Sequence, residues 1–433
     1  MEKEQLRRLN ELLKTDVLPA FGCTGPIAVS YVAAEARDAV GGTPKKIVVR
    51  ADKDICSKND DVGIPGTAVK GLRMAASLGA WAGDPAAKLE VLKGITPEQE
   101  AQARAFAEQG DIEILPDWET DILGIYISVE VTTENGVGKA TVAKKHHNLV
   151  YKEANGTVLA DQHFDRQAGL DESHDPISEY GLADFFSYAT QIDIEELYWL
   201  REALSMNKAL ADMALSGKTG IGLGRMLMDN SGGDMVRRAK AMAAAGSEAR
   251  MGGLDMPTMS CATSGNAGIT GAVTLLSLAE DLGKSEEELL RALALCYFVT
   301  CFGKNRIGRH SAMCACAVVA SCGVAAGTVL LLGGGLEEVH NAINNTILNV
   351  FGVVCDGARY GCALKLASAA GIAMEGALLA QKGVCTPADE GVTCANGEET
   401  INFMGRFAKN GMKDTDLYLC KALFSKHNPE TEA

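Results

Sequence analysis

Residues 311–336, SAMCACAVVASCGVAAGTVLLLGGGL, form an uncharged stretch around which the rest of the fold can be predicted. A second stretch without formal charge runs from Met259 to Ala279. Both are long enough for a transmembrane helix, which needs ~20 residues. However, they consist largely of Ala, Gly, Cys, Ser and Thr, and no aromatic belt or clear asymmetry of basic loops frames them. We therefore interpret them as small-residue helices at the centre of a soluble helical bundle.

Helical periodicity extends over most of the chain on both sides of this stretch, after residue 181. Gly-rich joints separate several of the predicted helices, which are 182–191, 193–215, 232–246, 267–283, 285–301, 311–332, 336–351, 363–382 and 399–408. At the other end of the chain, residues 2–16 predict an amphipathic helix. It should end near Leu18, because the residue before a proline is disfavoured in the α conformation.

Strand signals are confined to residues 45–162. KKIVVRAD at 45–52 predicts a short strand, and later segments alternate apolar and polar residues. Asn-Gly pairs at 135–136 and 155–156 are strong hairpin signals. These patterns predict a mixed α/β region with an antiparallel sheet.

Together the patterns predict an α+β protein with four parts. Residues 1–44 form an N-terminal helix and loop that pack on the helical domain, and residues 45–165 form the mixed α/β domain. Residues 166–181 are polar and predict a linker, and residues 182–433 form a larger all-α domain with buried small-residue central helices.

Charge and cysteine content restrict the possible functions. The 433 residues include 41 Lys plus Arg and 56 Asp plus Glu, a net charge of −15, which argues against nucleic-acid or polybasic membrane binding. Thirteen Cys without a secretory signal indicate a reducing cytoplasm rather than a disulfide framework. In that compartment, clustered Cys indicate metal ligation or catalysis, although most buried Cys simply fill core space.

The Cys residues near the uncharged stretch are candidates for a metal site. Residues two apart on a helix point to nearly opposite sides, so Cys314 and Cys316 should not share one metal. Cys355 and Cys362 would lie about 10 Å apart on a continuous helix, but the intervening glycines allow a loop that turns both sulfurs inward. Two loop ligands and one helix ligand would leave one iron of a cubane cluster open.

Cys23 is a second kind of candidate. It lies in the turn GCTGP at 22–26, directly before a predicted helix. Backbone amides and the helix dipole at that position favour a thiolate. Its pKa could therefore be lowered.

Other motif matches are weak. LSGKTG at 215–220 resembles a phosphate-binding loop, but position 212 is Asp where that motif requires Gly. GIGLGR at 220–225 lacks the third Gly of a dinucleotide fingerprint. None of the seven His lies in a recognisable zinc-binding spacing.

Six short motifs resemble those of L-cysteine desulfidases, oxygen-sensitive iron–sulfur lyases that are distant relatives of bacterial iron–sulfur L-serine dehydratases. The motifs occur in the family's order over nearly the whole chain: GCTGPI at 22–27, PGT at 65–67, SEARMGG at 247–253, SGNAGIT at 264–270, GRHSAMCA at 308–315 and CDGARYGC at 355–362. The resemblance implies a pyridoxal-independent β-elimination that converts L-cysteine to pyruvate, ammonia and hydrogen sulfide.

The resemblance also implies roles for particular residues. Cys314, Cys355 and Cys362 match the ligands of a [4Fe–4S] cluster, and Cys23 matches the catalytic base. Cys314 is preferred over Cys316 because the family ligand follows a Ser-Ala-hydrophobic element. Candidates for binding the amino-acid substrate, each with a turn or cap role as the alternative, are Asn59, Thr67, Ser264, Asn266, Arg309 and Ser311.

The chain departs from the family at two points. Gly25 stands where the family usually has Glu, and the stretch 58–67 is one residue shorter. The substrate therefore stays open, and a dehydratase of L-serine or another β-substituted amino acid is the alternative enzyme. A non-catalytic iron–sulfur redox sensor and a membrane transporter are the alternatives from other classes. We expect a cytoplasmic protein that binds neither nucleic acid nor membrane, and a homodimer is compatible with the sequence.

Overall fold

A computed structural model describes residues 1–21, 24–67, 69–118, 125–144, 146–162, 175–308 and 311–428. The N-terminal part contains helices and all but one of the described strands. Its elements are α1 (Lys3–Asp16), β1 (Pro19–Phe21), α2 (Thr24–Val40), β2 (Lys46–Asp52), α3 (Lys53–Lys58), α4 (Leu72–Ala82), α5 (Pro97–Gln109), β3 (Asp111–Asp117), β4 (Tyr126–Thr133), β5 (Gly136–Ala143), β6 (Leu149–Ala154) and β7 (Thr157–Asp161).

The remainder is helical apart from one short strand. Its elements are α6 (Leu182–Gln191), α7 (Leu200–Leu215), α8 (Leu223–Asp229), α9 (Met235–Met251), β8 (Pro257–Met259), α10 (Gly265–Leu282), α11 (Glu286–Ile307), α12 (Ala315–Leu331), α13 (Leu336–Val350), α14 (Gly361–Ala380), α15 (Gly397–Arg406) and α16 (Lys413–His427). This architecture confirms the predicted α+β class.

Six strands form one sheet in the order β3-β2-β4-β5-β6-β7. All neighbours are antiparallel except β2 and β3, which are parallel, so the sheet is mixed. Both predicted hairpins are present. At the second, Asn155 and Gly156 have φ of 51° and 81°, as a type I′ turn requires. The α2 and α4 helices pack with the sheet, and their small residues and β-branched strand residues form one core.

The uncharged stretch becomes α12, a helix that is buried along nearly its whole length. It packs against α10, α11, α13 and α14. Small side chains permit this central position because neighbouring helices can approach from several directions. Among the described helices, α14 alone is long and apolar enough to cross a membrane, and 61% of its most apolar window is buried inside the protein. Such burial is typical of the core helix of a soluble protein.

Elements from both ends of the chain connect the two parts. Leu6, Leu9 and Leu13 of α1 are buried in the helical core, whereas α2 packs on the sheet, so residues 1–44 are shared between the parts. The β1 strand pairs antiparallel with β8. At the other end, Phe424 of α16 lies in the core of the sheet region. The candidate site lies where these connections meet.

Candidate cluster-binding site

Two short extended segments place Cys314 next to Cys355. Met313 and Val354 form an isolated antiparallel bridge. On either side of it, the Cys314 N–H donates to the Val353 carbonyl at 2.9 Å, and the Cys355 N–H donates to Ala312 at 2.7 Å. Neighbouring residues of such a pair lie close together. The cysteines, 41 positions apart, are thus held together by the backbone.

Cys316 joins this pair, contrary to the prediction. The helix does not run through Cys314, which is the N-cap of α12 with an extended backbone of φ −74° and ψ 100°. The two sulfurs consequently lie 3.3 Å apart. The prediction that Cys314 and Cys316 point to nearly opposite sides was wrong because it assumed a continuous helix from residue 311.

Cys362 completes a row of four sulfurs. It lies in the first turn of α14, rather than in the preceding loop as expected, and its thiol donates to the Gly357 carbonyl at 3.3 Å. It also shares a hydrogen bond with Cys316, while Cys314 shares one with Cys355. The row therefore runs Cys355, Cys314, Cys316, Cys362.

Hydrogen bonds within the row favour thiolates at two of its members. Bonds from Cys316 and Cys355 lower the pKa of Cys314 well below its ordinary value, and the bond from Cys316 lowers the pKa of Cys362. The same bonds, together with burial, raise the pKa of Cys316 and Cys355. Because thiolates are the form that binds metal, the row is suited to soft metal ligation.

Three lysines bring positive charge to this row. Lys58 and Lys304 lie close enough to Cys355 for electrostatic interaction, and Lys365 acts on Cys314 and Cys355. Burial lowers the pKa of Lys304, an effect that the sulfurs partly oppose. For Lys58, burial is outweighed by Asp54, Cys355 and Asp416, so its pKa is raised. A group of thiolates with an anionic inorganic cluster requires such compensation inside a protein.

Lys58 belongs to a buried ion-pair network that ties α3 to α16. Its Nζ lies 2.7 Å from Asp416 and 2.5 Å from Asp54, and Lys53 contacts the same two carboxylates. Ligand atoms of Asp54, Asp416 and Cys420 lie within 4.8 Å of one another, a spacing that a metal ion could use. Two ammonium groups already neutralise the two carboxylates. We therefore interpret this group as an ion-pair network.

The end of α3 also contacts the loop between Cys355 and Cys362. The Ala358 N–H donates to the Lys58 carbonyl at 3.0 Å. Gly357 has φ +98°, and a Cβ there would lie 2.4 Å from the same carbonyl oxygen. Lys58 Nζ reaches the Ser311 carbonyl at 3.5 Å. The sheet region thus contacts both segments that carry the cysteines.

Asn59 extends this contact to the N-terminal loop. Its Nδ2 donates to Ile55 O at 3.2 Å, and its Oδ1 lies 2.5 Å from where a Cβ on Gly25 would be. Gly25 is in the first turn of α2, two residues after Cys23. Cys23 itself and Arg309 lie outside the described residues, so their predicted roles stay predictions.

Among the described candidate substrate residues, Asn266 is the most buried. It is 5% exposed, in the first turn of α10, and Arg250 Nη1 donates to its Oδ1 at 3.3 Å. One helical turn later, Thr270 donates to the Cys316 carbonyl at 3.5 Å. The start of α10 therefore adjoins the cysteine row.

Three other candidates have local hydrogen bonds of the turn or cap kind. Ser264 is the N-cap of α10 and accepts from the Ala267 N–H at 3.2 Å. Thr67 donates to Ile64 O at 2.8 Å, and Ser311 accepts from the Met313 N–H at 3.1 Å. These hydroxyls hold the backbone of the loops around the site.

Sequence reasoning missed several residues of this site. Cys316 was set aside on helical geometry. Lys58, Arg250 and Lys304 were not considered, although Lys58 begins the stretch 58–67 and Arg250 lies in the motif SEARMGG at 247–253. A usable sequence signal was a charged residue within a motif made mostly of small residues, as with Arg250.

Outside the row, the expectation that most cysteines fill core space fits residues such as Cys322. Its thiol donates to Val318 O at 3.2 Å, and burial raises its pKa to about 12.

The donor set fits an iron–sulfur cluster. Thiolates are the usual ligands of such clusters, and the row lies in a buried setting. Cys314 is the N-cap of α12, and Cys316 and Cys362 lie in the first turns of α12 and α14. Helix N-termini stabilise negative charge.

Comparisons with known proteins agree with this chemistry. Residues 86–421 match the family described as Serine dehydratase alpha chain, a family of iron–sulfur dehydratases, which are lyases. The chain is also similar to UPF0597 proteins over nearly all of its length. Identity is 34% to that of Caldanaerobacter subterraneus (98% of this chain, 100% of the relative), 32% to that of Clostridium tetani (99% and 100%) and 35% to that of Oleidesulfovibrio alaskensis (98% and 100%). The chain therefore belongs to the serine dehydratase alpha chain family.

Proposed function

We propose that the protein is an iron–sulfur-dependent, pyridoxal-independent lyase that converts L-cysteine to pyruvate, ammonia and hydrogen sulfide. The convergence of Cys314, Cys355 and Cys362 is the observation that carries this proposal. Three thiolates would hold a [4Fe–4S] cluster with one iron open. When bound, that group supplies a Lewis acid for the β-sulfur of the substrate.

The protein's own residues would supply binding and proton transfer. Cys23, directly before the N-terminus of α2, would accept the proton from Cα of the substrate. Elimination then breaks the Cβ–S bond and releases sulfide. The resulting aminoacrylate takes up water to give pyruvate and ammonia, so that one cysteine and one water yield the three products.

The substrate carboxylate needs hydrogen-bond donors near this proton acceptor. Asn266 at the start of α10 and Asn59 beside Gly25 are candidates that approach the site from opposite parts of the fold. Thr67, Ser264, Ser311 and Arg309 are the further candidates. The lysines beside the cysteine row would compensate the added negative charge.

Elimination of water from L-serine is the second candidate, and the family match favours it. Both reactions remove the α-proton and release a β-substituent. They differ in the leaving group, since a thiolate is softer than hydroxide and binds iron more readily. A cytoplasmic location and a homodimer stay predictions.

The experiment is an anaerobic assay of purified protein with L-cysteine, L-serine and other β-substituted L-amino acids, measuring sulfide, ammonia and pyruvate. We expect sulfide and pyruvate in equal amounts from cysteine. Cys23→Ala should keep its iron but lose turnover, whereas Cys355→Ala should lose most of its iron. Cys322→Ala, a buried cysteine outside the row, is the matched control.

Three outcomes would contradict the proposal. Release of pyruvate from serine alone would favour the dehydratase. Wild-type turnover by Cys23→Ala would remove Cys23 as the base. Iron-loaded protein that converts none of the amino acids would favour a redox sensor.

A further inference from the structure

The side-chain amide of Asn266 lies in a buried setting at the start of α10. The residue is 5% exposed, and its Oδ1 accepts a hydrogen bond from Arg250 Nη1 at 3.3 Å. Among the described residues, its Nδ2 contacts one acceptor, the Met251 sulfur, at 3.7 Å. A thioether is a weak acceptor, whereas an amide nitrogen carries two donor hydrogens. The amide therefore keeps a strong donor for a further acceptor.

Arg250 determines which end of this amide is the donor. A guanidinium only donates hydrogen bonds, so its partner must be the amide oxygen, and the amide cannot turn over without losing that bond. The guanidinium is itself held against the first turn of α10, because a Cβ on Gly265 would lie 2.5 Å from its Nε. Arg250 is only 9% exposed at the end of α9. The orientation of the Asn266 amide is thus fixed from outside its own helix.

The pair adjoins the cysteine row. Its chain neighbours Met251 and Ala267 belong to the same buried cluster as three cysteines of the row. At the end of α9, a Cβ on Gly252 would lie 2.8 Å from the hydroxyl of Tyr360, two residues before the last of those cysteines. In L-cysteine, only Cα and Cβ separate the carboxylate from the sulfur. A substrate whose sulfur reaches the row would therefore bring its carboxylate close to this pair.

We propose that Arg250 is a positioning residue that orients the Asn266 amide, so that Nδ2 donates a hydrogen bond to the carboxylate of the amino-acid substrate. The N-terminus of α10, a helix of 18 residues, favours an anion at the same place. Arg250 acts through Asn266. This inference rests on the proposed function, and it applies equally to L-cysteine and L-serine because both carry this carboxylate.

The test compares KM and kcat for L-cysteine, measured as sulfide release under nitrogen, in full-length wild type, Arg250→Lys, Asn266→Ala and the double variant. Lysine keeps the positive charge but lacks the planar donor group. We expect Asn266→Ala to raise KM about tenfold and Arg250→Lys to raise it about fivefold, with kcat within about threefold of the wild type. In the Asn266→Ala background, Arg250→Lys should change KM little further, because the amide that transmits its effect is gone.

The matched control is Arg237→Lys, the same substitution at an exposed arginine of α9, which should leave KM unchanged. Iron content and Tm distinguish positioning from folding, and both should match the wild type in Arg250→Lys. Asn266→Asp keeps an acceptor for Arg250 but removes the N–H donor and adds a negative charge. It should raise KM at least as much as Asn266→Ala, which keeps the proposal falsifiable if Arg250→Lys does not fold.

An unchanged KM in Arg250→Lys or in Asn266→Asp would overturn the proposal and leave the proposed function intact. An equal rise in KM from Arg250→Lys with and without the Asn266 amide would also overturn it, because Arg250 would then act independently. If the wild type converts L-serine alone, the same comparison is made with L-serine. A wild type that converts no amino acid would refute the proposed function itself.

Discussion

Gly25 and Asn59 occupy one small space beside the candidate site. The resemblance to L-cysteine desulfidases implies Glu where this chain has Gly25, and the Asn59 amide lies where a Cβ at that position would be, with Oδ1 at 2.5 Å and Cγ at 2.7 Å. The amide is held in place by its bond to Ile55 O. The space that a side chain at residue 25 would need is thus filled by the side chain of Asn59, 34 positions away.

We expect Gly25→Glu to destabilise the protein and to impair turnover. Overpacking of a filled site typically costs about 1–3 kcal/mol, and the displaced amide would lose its hydrogen bonds. The measurement is the free energy of unfolding in urea, together with the rate of sulfide release.

The matched control is the same substitution in an Asn59→Gly background, where the space is open. The penalty for Gly25→Glu should then shrink, because neighbouring substitutions are not additive. An equal penalty in both backgrounds would show that the two residues do not compete for this space.

At the scale of elements, the start of α12 and the loop before α14 decide which sulfurs meet. The predicted helix 311–332 contained Cys314, whereas α12 begins at Ala315. The helix does not begin at residue 311, as predicted, because residues 312–314 are extended and pair with residues 353–355. Local helical preference was therefore overridden by a contact distant in sequence.

Gly357 provides a test of the loop between the last two cysteines. Its φ of +98° and the 2.4 Å approach of a Cβ to the Lys58 carbonyl both oppose any larger residue. We expect Gly357→Ala to cost about 1–3 kcal/mol of stability and to reduce iron content, because the loop can no longer pack on α3.

Gly352→Ala is the control, since nothing lies within 4 Å of a Cβ there. It should leave the unfolding midpoint and the iron content close to those of the wild type. Full iron occupancy in Gly357→Ala would indicate that contact with Lys58 does not position the cysteines.

At the scale of the whole molecule, the site depends on segments from both parts of the fold. The cysteines come from the α12 and α14 regions, Lys58 is the last residue of α3 with Asn59 directly after it, and Asp416 comes from α16. A ligand that binds the folded state alone stabilises it, and here the bound group would link the cysteine-bearing segments at the start of α12, in the loop before α14 and at the start of α14.

Iron removal should therefore lower the thermal stability of the protein. We expect the Tm measured by circular dichroism under nitrogen to fall by several degrees when a chelator removes the cluster. The Cys355→Ala variant should show no further decrease with chelator. An unchanged wild-type Tm after verified iron loss would separate cluster binding from folding.

Hydrophobic periodicity and turn residues determined most of the fold. Segments 182–191, 336–351 and both Asn-Gly hairpins agree with the structure within about a residue, because local packing faces and backbone preferences are encoded nearby in the chain. The parallel pairing of β2 with β3 was not predictable, since it joins strands separated by three helices.

The residues of the candidate site also fall into those that the sequence indicated and those that only the tertiary structure shows. The resemblance of short motifs to those of L-cysteine desulfidases pointed to Cys314, Cys355 and Cys362 as ligands, an assignment that stays a prediction. The inclusion of Cys316, the three neighbouring lysines and the match between Gly25 and Asn59 depended on tertiary structure. Each arises from contacts between segments tens to hundreds of residues apart, and no local pattern records which distant backbone will end a helix or fill a space.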